Sequence, residues 1–379
     1  MRYYIIAGEP SGDLHGSNLI RGILEADPQV EIRFWGGDLM SEAAGESGTL
    51  VRHYKEESVM GFIEVVMKLR KITRSMNFCR EDIAEFAPDV LILIDYAGFN
   101  LRMAKFARSR GIKTFYYIAP KVWAWKESRV KKIQASVDKL FVIFPFEVDY
   151  FSRFGIDVYY GGNPLMDSIA QNRVQCSEEE FRRRHNIPMD RQIVALVAGS
   201  RRSEIENNLP TMVSIARERR DLHFVITGVD WLPEELYRKI VGDTPNITLV
   251  VGETTPTLLN SQAALVTSGT ATLETALMGV PQVVCYIGLP ISIWIGRRVV
   301  KLKWISLVNI VMNREVVSEL IQKDFNTQDT LAHLESILPN GERHDQIIKD
   351  YKELREKIGD QGASSRVAHE MVKTLKEKR

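Results

Sequence analysis

The sequence predicts an α/β protein made of two doubly wound domains, each built on a parallel sheet. Its 379 residues are enough for two domains with sizeable cores. Short apolar runs alternate with amphipathic segments in both halves, and this strand–helix order requires crossover connections, which produce parallel sheets. Three of the runs end in turns of Gly and small polar residues. Such turns lie beyond the carboxyl ends of strands, where open α/β sheets bind ligands.

Apolar and β-branched runs mark the predicted strands. In the first half these are Tyr3–Ala7, Ile32–Gly36, Val90–Asp95, Thr114–Ile118, Lys139–Ile143 and Val158–Tyr160. In the second half they are Ile193–Ala198, His223–Thr227, Ile247–Val251, Ala264–Thr267 and Gln282–Cys285. The turn at Gly161-Gly162-Asn163-Pro164 leads into a charged segment and marks the join. We therefore expect domains over residues 1–165 and 166–344, with helices over about 345–379 that pack on the first domain or on a partner.

Composition narrows the class of protein. Apolar residues make up 45% of the chain and charged residues 26%, which are ordinary globular values. The net charge of +1 gives no overall attraction to nucleic acid. Cys79, Cys176 and Cys285 are widely spaced, so we expect reduced thiols in a cytoplasmic protein without a signal peptide.

The first candidate site is the turn over residues 8–13, which read Gly-Glu-Pro-Ser-Gly-Asp after the strand Tyr3–Ala7. It lacks the glycine spacing of a dinucleotide fingerprint and the Gly-Lys of a P-loop. A helix is predicted to follow over Leu14–Ala26. The turn is therefore either a ligand-binding corner or a tight connection with Asp13 as a helix cap.

The second candidate is Asp95, which closes the continuous apolar run Val90–Ile94. A carboxylate at the end of a central strand is partly shielded from water, which raises its pKa towards that of a useful base. The alternative is a turn or cap residue.

Two turns of the second half favour anion binding. Gly199, Ser200 and Arg201 follow one strand, and the alternative there is a capping box of Ser203 and Glu206. The other turn precedes a helix whose N-terminus could hold a diphosphate. A carboxylate on that helix could accept hydrogen bonds from the hydroxyls of a sugar. The alternative is a well-capped helix without a ligand. The residues of this turn and its helix are Ser268, Gly269, Thr270 and Glu274. The chain has no Asp-x-Asp pair, so we expect no metal.

Two apolar segments with basic neighbours are candidates for an acyl-chain or membrane surface. The first contains Val59, Met60, Phe62, Ile63, Val66 and Met67. The second contains Trp294, Arg297, Arg298, Lys301, Lys303 and Trp304. Core helices with solvated basic ends are the alternative for both.

Taken in order, these motifs closely resemble bacterial lipid-A-disaccharide synthases from the first strand to at least Leu320. The matching segments are residues 8–13, 59–65, 94–95, 99–100, 122–125 with Arg129, 199–201 and 268–274. The resemblance implies a GT-B fold of two Rossmann-like domains with an interdomain cleft. It also implies transfer of 2,3-diacylglucosamine from UDP to the 6-hydroxyl of 2,3-diacylglucosamine 1-phosphate, with inversion, giving a β-1,6 disaccharide and UDP.

The resemblance also assigns roles. Asp95 is the base, and Glu9, Ser11, Gly12 and Asn100 belong to the acceptor side of the cleft. The UDP half contains Gly199, Ser200, Arg201, Ser268, Gly269, Thr270, Glu274 and Asn309. Val308 stands where the family commonly has proline, so Asn309 transfers less directly.

The family works without a cofactor, at the inner face of the cytoplasmic membrane and without nucleic acid, and a homodimer stays open. Two other functions also stay open: a UDP-N-acetylglucosamine 2-epimerase-like enzyme and a non-catalytic nucleotide-sugar-binding protein. The two apolar segments argue against the epimerase.

Overall fold

The computed structural model describes residues 1–56, 65–123, 127–171, 177–288 and 303–377, without the side chains of 65–71 and 127. The chain divides into two compact units. The first unit is Met1–Asp167 with Asp360–Arg379, and the second unit is Ser168–Gly359. The helix over residues 344–358 thus lies with the second unit, and the chain returns to the first unit only after it.

The described part of the first unit contains a seven-stranded parallel sheet. Its strands are β1 Arg2–Ala7, β2 Glu31–Gly36, β3 Gly48–His53, β4 Val90–Ile94, β5 Lys113–Tyr117, β6 Lys139–Val142 and β7 Val158–Tyr160. The order across the sheet is β3-β2-β1-β4-β5-β6-β7. Winding runs in one direction from β1 and in the other from β4, so the switch point lies between these two strands.

Helices cover both faces of this sheet. They are α1 Pro10–Ala26, α2 Asp38–Ala44, α3 Val65–Phe86, α4 Ala97–Ser109, α5 Val130–Ser136, α6 Pro145–Ser152 and α7 Leu165–Gln171, whose last residues belong to the second unit. Tyr4 and Leu91 pack on one face, Tyr3 and Ile92 on the other. Burial on both faces is why β1 and β4 appear as continuous apolar runs in the sequence.

The second unit contains a six-stranded parallel sheet among its described residues. The strands are β8 Ile193–Val197, β9 His223–Gly228, β10 Ile247–Val251, β11 Ala263–Thr267, β12 Gln282–Tyr286 and β13 Ser318–Ile321. The helices are α8 Glu178–Arg184, α9 Arg202–Glu218, α10 Glu234–Val241, α11 Thr254–Leu259, α12 Thr270–Leu277, α13 Leu307–Met312, α14 Thr327–Ile337 and α15 His344–Ile358. The order β10-β9-β8-β11-β12-β13 places the switch point between β8 and β11.

A last helix, α16 (Ala363–Lys376), completes the core of the first unit. Its buried Val367, Ala368 and Met371 join the cluster formed by the apolar face of α1. Asp167 caps the helix, because its carboxylate accepts from the backbone N–H groups of residues 362, 363 and 364. A Cβ on Gly22 of α1 would lie 2.8 Å from the Cβ of Ala368, so the two helices meet at a glycine.

The cysteines, the predicted join and the helices were also subjects of sequence-based predictions. Cys79 and Cys285 are buried, and Cys176 lies outside the described residues. Asn163, at the predicted join, is buried and ties the backbone of Ile143 to that of Leu165. Among the helices that the structure describes, none combines the length and the apolar composition of a membrane span.

Candidate active site

The turn residues singled out in the first unit lie at its switch point. Ala7 and Ile94 are paired at the ends of β1 and β4, so Gly8 and Asp95 leave the sheet side by side. The ring of Tyr96 packs directly on Gly8, where a Cβ would lie 2.5 Å from ring carbons. The first turn therefore needs glycine at this position to let the Asp95 turn approach it.

Asp95 is held in an unusual backbone conformation. Its φ is +44° and that of Tyr96 is +47°, a region that non-glycine residues rarely adopt. Two buried side chains support the turn through the Asp95 carbonyl: the Tyr116 hydroxyl donates to it at 2.5 Å and Asn100 Nδ2 at 2.8 Å. Asn100 also donates to the Ile94 carbonyl at 3.1 Å. Asn100 is fully buried in this turn, so it supports Asp95 from behind.

The surroundings of Asp95 favour a proton acceptor. Desolvation raises the pKa of its carboxyl, while the Lys121 ammonium and the N–H of Tyr96 act in the opposite direction. Burial lowers the pKa of Lys121, and the carboxylates of Asp95 and Glu147 oppose that shift. The first unit thus holds a partly shielded carboxylate with one nearby cation.

Glu147 anchors the loop that carries Lys121. It is buried and accepts from Trp123 Nε1 at 2.8 Å and from the backbone N–H groups of Ile143 and Phe144 at 3.1 and 3.0 Å. Desolvation raises the pKa of Glu147 to about 7, against these donors and Lys121. Glu147 was not predicted from the sequence, because its partners are set by the approach of two loops.

The Gly-rich turn itself has a different local structure from the one predicted. Helix α1 begins at Pro10, which suits a first helical position, and not at Leu14. Glu9 and Ser11 are exposed, and Gly12 is buried against Ala7. The alternative interpretation expected Asp13 to cap its own helix, and it does not. Its carboxylate accepts from the N–H groups of residues 37, 39 and 40 and so caps α2.

In the second unit, the Gly199 turn follows β8 at the switch point, and Glu204 organises it. The Glu204 carboxylate accepts from the N–H groups of Ser200 and Arg201 at 2.9 and 3.2 Å, and from Arg201 Nη1 at 2.9 Å. The capping box expected for Ser203 and Glu206 is wrong, because the box at the start of α9 consists of Arg201 and Glu204, two residues earlier. Glu206 instead pairs with Arg202 at 3.4 Å.

The turn after β11 opens helix α12. Gly269 precedes the helix and Thr270 begins it, and both are exposed at its N-terminus. The Ser268 hydroxyl donates to the Ile305 carbonyl at 3.0 Å. Burial raises the pKa of Glu274 on the same helix. An exposed helix N-terminus beside a shielded carboxyl is suited to a diphosphate linked to a hydroxyl-bearing sugar.

Glu319 of β13 fixes the segment that contacts Ser268. Its two oxygens accept from the N–H groups of Ile305 and Ser306, each at 2.9 Å, and from Asn309 Nδ2 at 2.9 Å. Asn309 is fully buried, and its amide oxygen accepts from the backbone of residues 316 and 317. Asn309 therefore acts with Glu319 as an internal brace of this segment. Glu319 was not predicted from the sequence.

The two predicted apolar surfaces are largely outside the described residues. This holds for Val59, Met60, Phe62 and Ile63, and for Trp294, Arg297, Arg298 and Lys301. Val66 and Met67 lie in α3 without described side chains. Trp304 is half-buried, with the Lys303 ammonium 4.7 Å from its ring centre.

Within the described ranges, no three His, Cys, Asp or Glu side chains are grouped as they would be around a metal ion.

Comparison with solved structures concerns the fold. The UDP-GlcNAc 2-epimerase from Neisseria meningitidis superimposes with a TM-score of 0.66 at 11% identity, covering 100% of both chains. A putative UDP-N-acetylglucosamine 2-epimerase from Listeria monocytogenes gives 0.67 at 15% identity, covering 99% of this chain and 97% of that one. At such identities the likeness shows the fold alone, and that fold is GT-B.

Sequence comparison identifies the family. A family model described as lipid-A-disaccharide synthetase matches residues 3–373. The lipid-A-disaccharide synthase of Syntrophus aciditrophicus is 37% identical, over 96% of this chain and 95% of the relative. That of Geobacter sulfurreducens is 35% identical, over 99% and 97%. The chain therefore belongs to the lipid-A-disaccharide synthases, a family of glycosyltransferases with the GT-B fold.

Proposed function

We propose that this chain transfers 2,3-diacylglucosamine from UDP to the 6-hydroxyl of 2,3-diacylglucosamine 1-phosphate. The products are the β-1,6-linked disaccharide 1-phosphate and UDP. The family supplies the reaction class. The single observation that carries the mechanism is the placement of Asp95, a partly shielded carboxylate braced at the switch point of the first unit.

Asp95 serves as the general base. It removes the proton of the acceptor 6-hydroxyl while that oxygen forms a bond to the donor's anomeric carbon. The bond from that carbon to the diphosphate oxygen breaks at the same time, and its electron pair leaves with UDP. One in-line displacement converts the α-linked donor into a β-linked product. Its raised pKa makes Asp95 a stronger base than an ordinary exposed carboxylate.

The second unit holds the leaving diphosphate. The N-terminus of α12 at Gly269 and Thr270, together with Arg201, offers donors to negative charge. Glu274 accepts from the ribose hydroxyls. These groups stabilise charge as it develops on UDP, so the proposed reaction needs neither a metal nor an organic cofactor.

A mass-spectrometric assay with both diacylated sugars tests the proposal, comparing the wild type with Asp95→Asn. The expected result is a tetra-acyl disaccharide phosphate from the wild type and a steep loss of turnover in the variant. If folded, UDP-binding wild type made no disaccharide, the epimerase-like or binding-protein function would replace this one. Normal turnover by Asp95→Asn would remove the assigned base.

We also propose that the enzyme works as a peripheral protein on the cytoplasmic face of the inner membrane, where its acylated substrates reside. The sequence patterns at residues 59–67 and 294–304 support this contact. Vesicle co-sedimentation tests it: unchanged binding after joint neutralisation of Arg297, Arg298, Lys301 and Lys303 would remove the role of these residues.

A further inference from the structure

A cavity of the first unit begins beside the Asp95 turn and is unused by the mechanism above. It encloses about 720 Å³ between α4 and α5, within the range of small-molecule sites. Ala97 and Gly98, two and three residues after Asp95, line one end, and Ser109 at the end of α4 lines the other. The helical rise makes the distance along α4 about 18 Å. The cavity is therefore an elongated groove, called here the α4–α5 groove.

The walls of the α4–α5 groove are strongly cationic. The described residues that line it include no carboxylate and no aromatic side chain, and their cations are Arg102, Lys105, Arg108, Arg129, Lys131 and Lys132. Arg108 is paired with Asp138 at 3.0 Å. Within the described ranges, no carboxylate forms an ion pair with Lys105, Lys131 or Lys132.

The groove also has an apolar part, called here its floor. Ala97, Leu101 and Ala135 line it, beside the methylene stems of the lysines. Among the described residues of the groove, a nucleotide would find no aromatic face for its base. An anionic lipid fits better, because its phosphate meets the cations while its hydrocarbon covers the apolar floor.

The groove is also connected to the proposed base. Arg129 lines it. Burial raises the pKa of the Tyr116 hydroxyl, which donates to the Asp95 carbonyl, and the charge of Arg129 opposes that shift. A ligand in the groove would thus have one end next to the Asp95 turn.

We infer that the α4–α5 groove binds the phosphate and part of the hydrocarbon of the acceptor lipid. This inference rests on the proposed function, since that reaction supplies an acceptor that carries both groups. A phosphate monoester near pH 7 has a charge close to −2 and three acceptor oxygens, which two or three lysines can satisfy. Lys105 on α4 and Lys131 and Lys132 on α5 are the phosphate-binding residues.

The test replaces Lys105, Lys131 and Lys132 together by Ala and varies acceptor and donor separately in detergent-dispersed assays. The KM for the acceptor should rise about tenfold or more, because charge-assisted contacts are lost. The KM for the donor and kcat should stay within about twofold. The matched control replaces Lys239, Lys349 and Lys352, exposed lysines of the second unit, and should change neither KM.

An acceptor analogue without its phosphate gives a readout that general damage to the fold would not move. The wild type should prefer the phosphorylated acceptor, and the triple variant should lose that preference. If product forms and the acceptor KM and this preference are unchanged, the groove assignment is overturned and the proposed reaction stands.

Two further outcomes separate the sources of failure. If the triple variant binds phosphatidylglycerol vesicles less well and both KM values rise together, the groove faces the membrane surface and the inference is overturned. If the wild type forms no disaccharide, the proposed function fails. Direct binding of the acceptor lipid to wild type and triple variant then decides, and equal affinity overturns the groove assignment.

Discussion

The two switch points of this molecule have the same topology but different chemistry. In the first unit, the turns after β1 and β4 present Asp95, whose backbone is strained and whose carboxyl has a raised pKa. In the second unit, the turns after β8 and β11 are braced by carboxylates that accept several hydrogen bonds each, Glu204 and Glu319. The switch point of the first unit presents a carboxylate with a raised pKa. That of the second unit uses carboxylates to hold backbone N–H groups in place.

In the proposed mechanism, this difference lets two similar sheets contribute different steps of one reaction. Proton transfer needs a group with a shifted pKa. The pKa of a buried carboxylate is raised when hydrogen bonds and nearby cations do not fully offset its loss of water. Holding a leaving group needs rigid donors, and rigidity requires that supporting polar groups be fully bonded. In the proposed mechanism, both requirements are met at the switch point of a parallel sheet. The two sheets are alike, and the turns that follow their strands differ.

The largest effect is expected from neutralising the proposed base. Asp95→Asn should lower kcat by about 10²–10⁴-fold, the usual contribution of a general base. UDP affinity should not change, because the second unit is untouched. Steady-state rates and equilibrium UDP binding check this, with Asp157→Asn as the control, since Asp157 is an exposed carboxylate of the same unit. A parallel loss of UDP binding would contradict the division of roles.

The next largest effect is expected from removing a brace in the second unit. Glu319→Ala leaves the N–H groups of Ile305 and Ser306 without their acceptor. Each buried group left unsatisfied lowers the free energy of unfolding by about 1–3 kcal/mol. UDP affinity should fall by about tenfold or more and the Tm should drop. Glu315→Ala, at an exposed position nearby, is the control. Intact UDP binding by Glu319→Ala would show that the segment does not support the donor site.

A smaller effect concerns the pH profile. The Lys121 charge lowers the pKa of Asp95, so Lys121→Met should raise it. The base is active when deprotonated, and the acid limb of kcat/KM should therefore move to higher pH. The activity well above that limb should be retained, and Lys239→Met should leave the profile in place. A limb that moved to lower pH would exclude Lys121 as a neighbour of the base.

The smallest expected effect is that of chelation. If donors of the second unit alone hold the diphosphate, EDTA should leave the rate unchanged. The check is a rate measurement with EDTA and with Mg²⁺ added back. If EDTA abolished activity and Mg²⁺ restored it, a metal ion would be the main stabiliser of the leaving group, and not Arg201 and the N-terminus of α12.

The sequence reveals the strands that form apolar runs, including the edge strands β7 and β10, and misses two strands of mixed composition. β1, β4, β8 and β11 are buried on both faces, so each reads as an unbroken apolar run and is predicted to within one residue at either end. β3 and β13 were not predicted as strands. Both lie at sheet edges and mix polar residues with few apolar ones, which hides them from periodicity.

The same limit applies to the candidate site. Asp95 stands out because a carboxylate directly follows five buried residues. The roles of Glu147 and Glu319 could not be predicted, because their partners lie on segments that only tertiary packing brings close. The role of Asp13 was misjudged for the same reason, since the helix that it caps begins 25 residues later at Asp38.

The return of α16 to the first unit bears on how the protein is made. Ribosomes deliver the first unit's sheet early, but the apolar face of α1 at Leu19, Ile20 and Ile23 is covered only after Val367 and Met371 have emerged. The second unit, which lies between, can finish folding first. We therefore expect nascent chains stalled before Ala363 to be cleaved by protease within the first unit while the second resists, and equal resistance of both would refute this order of folding.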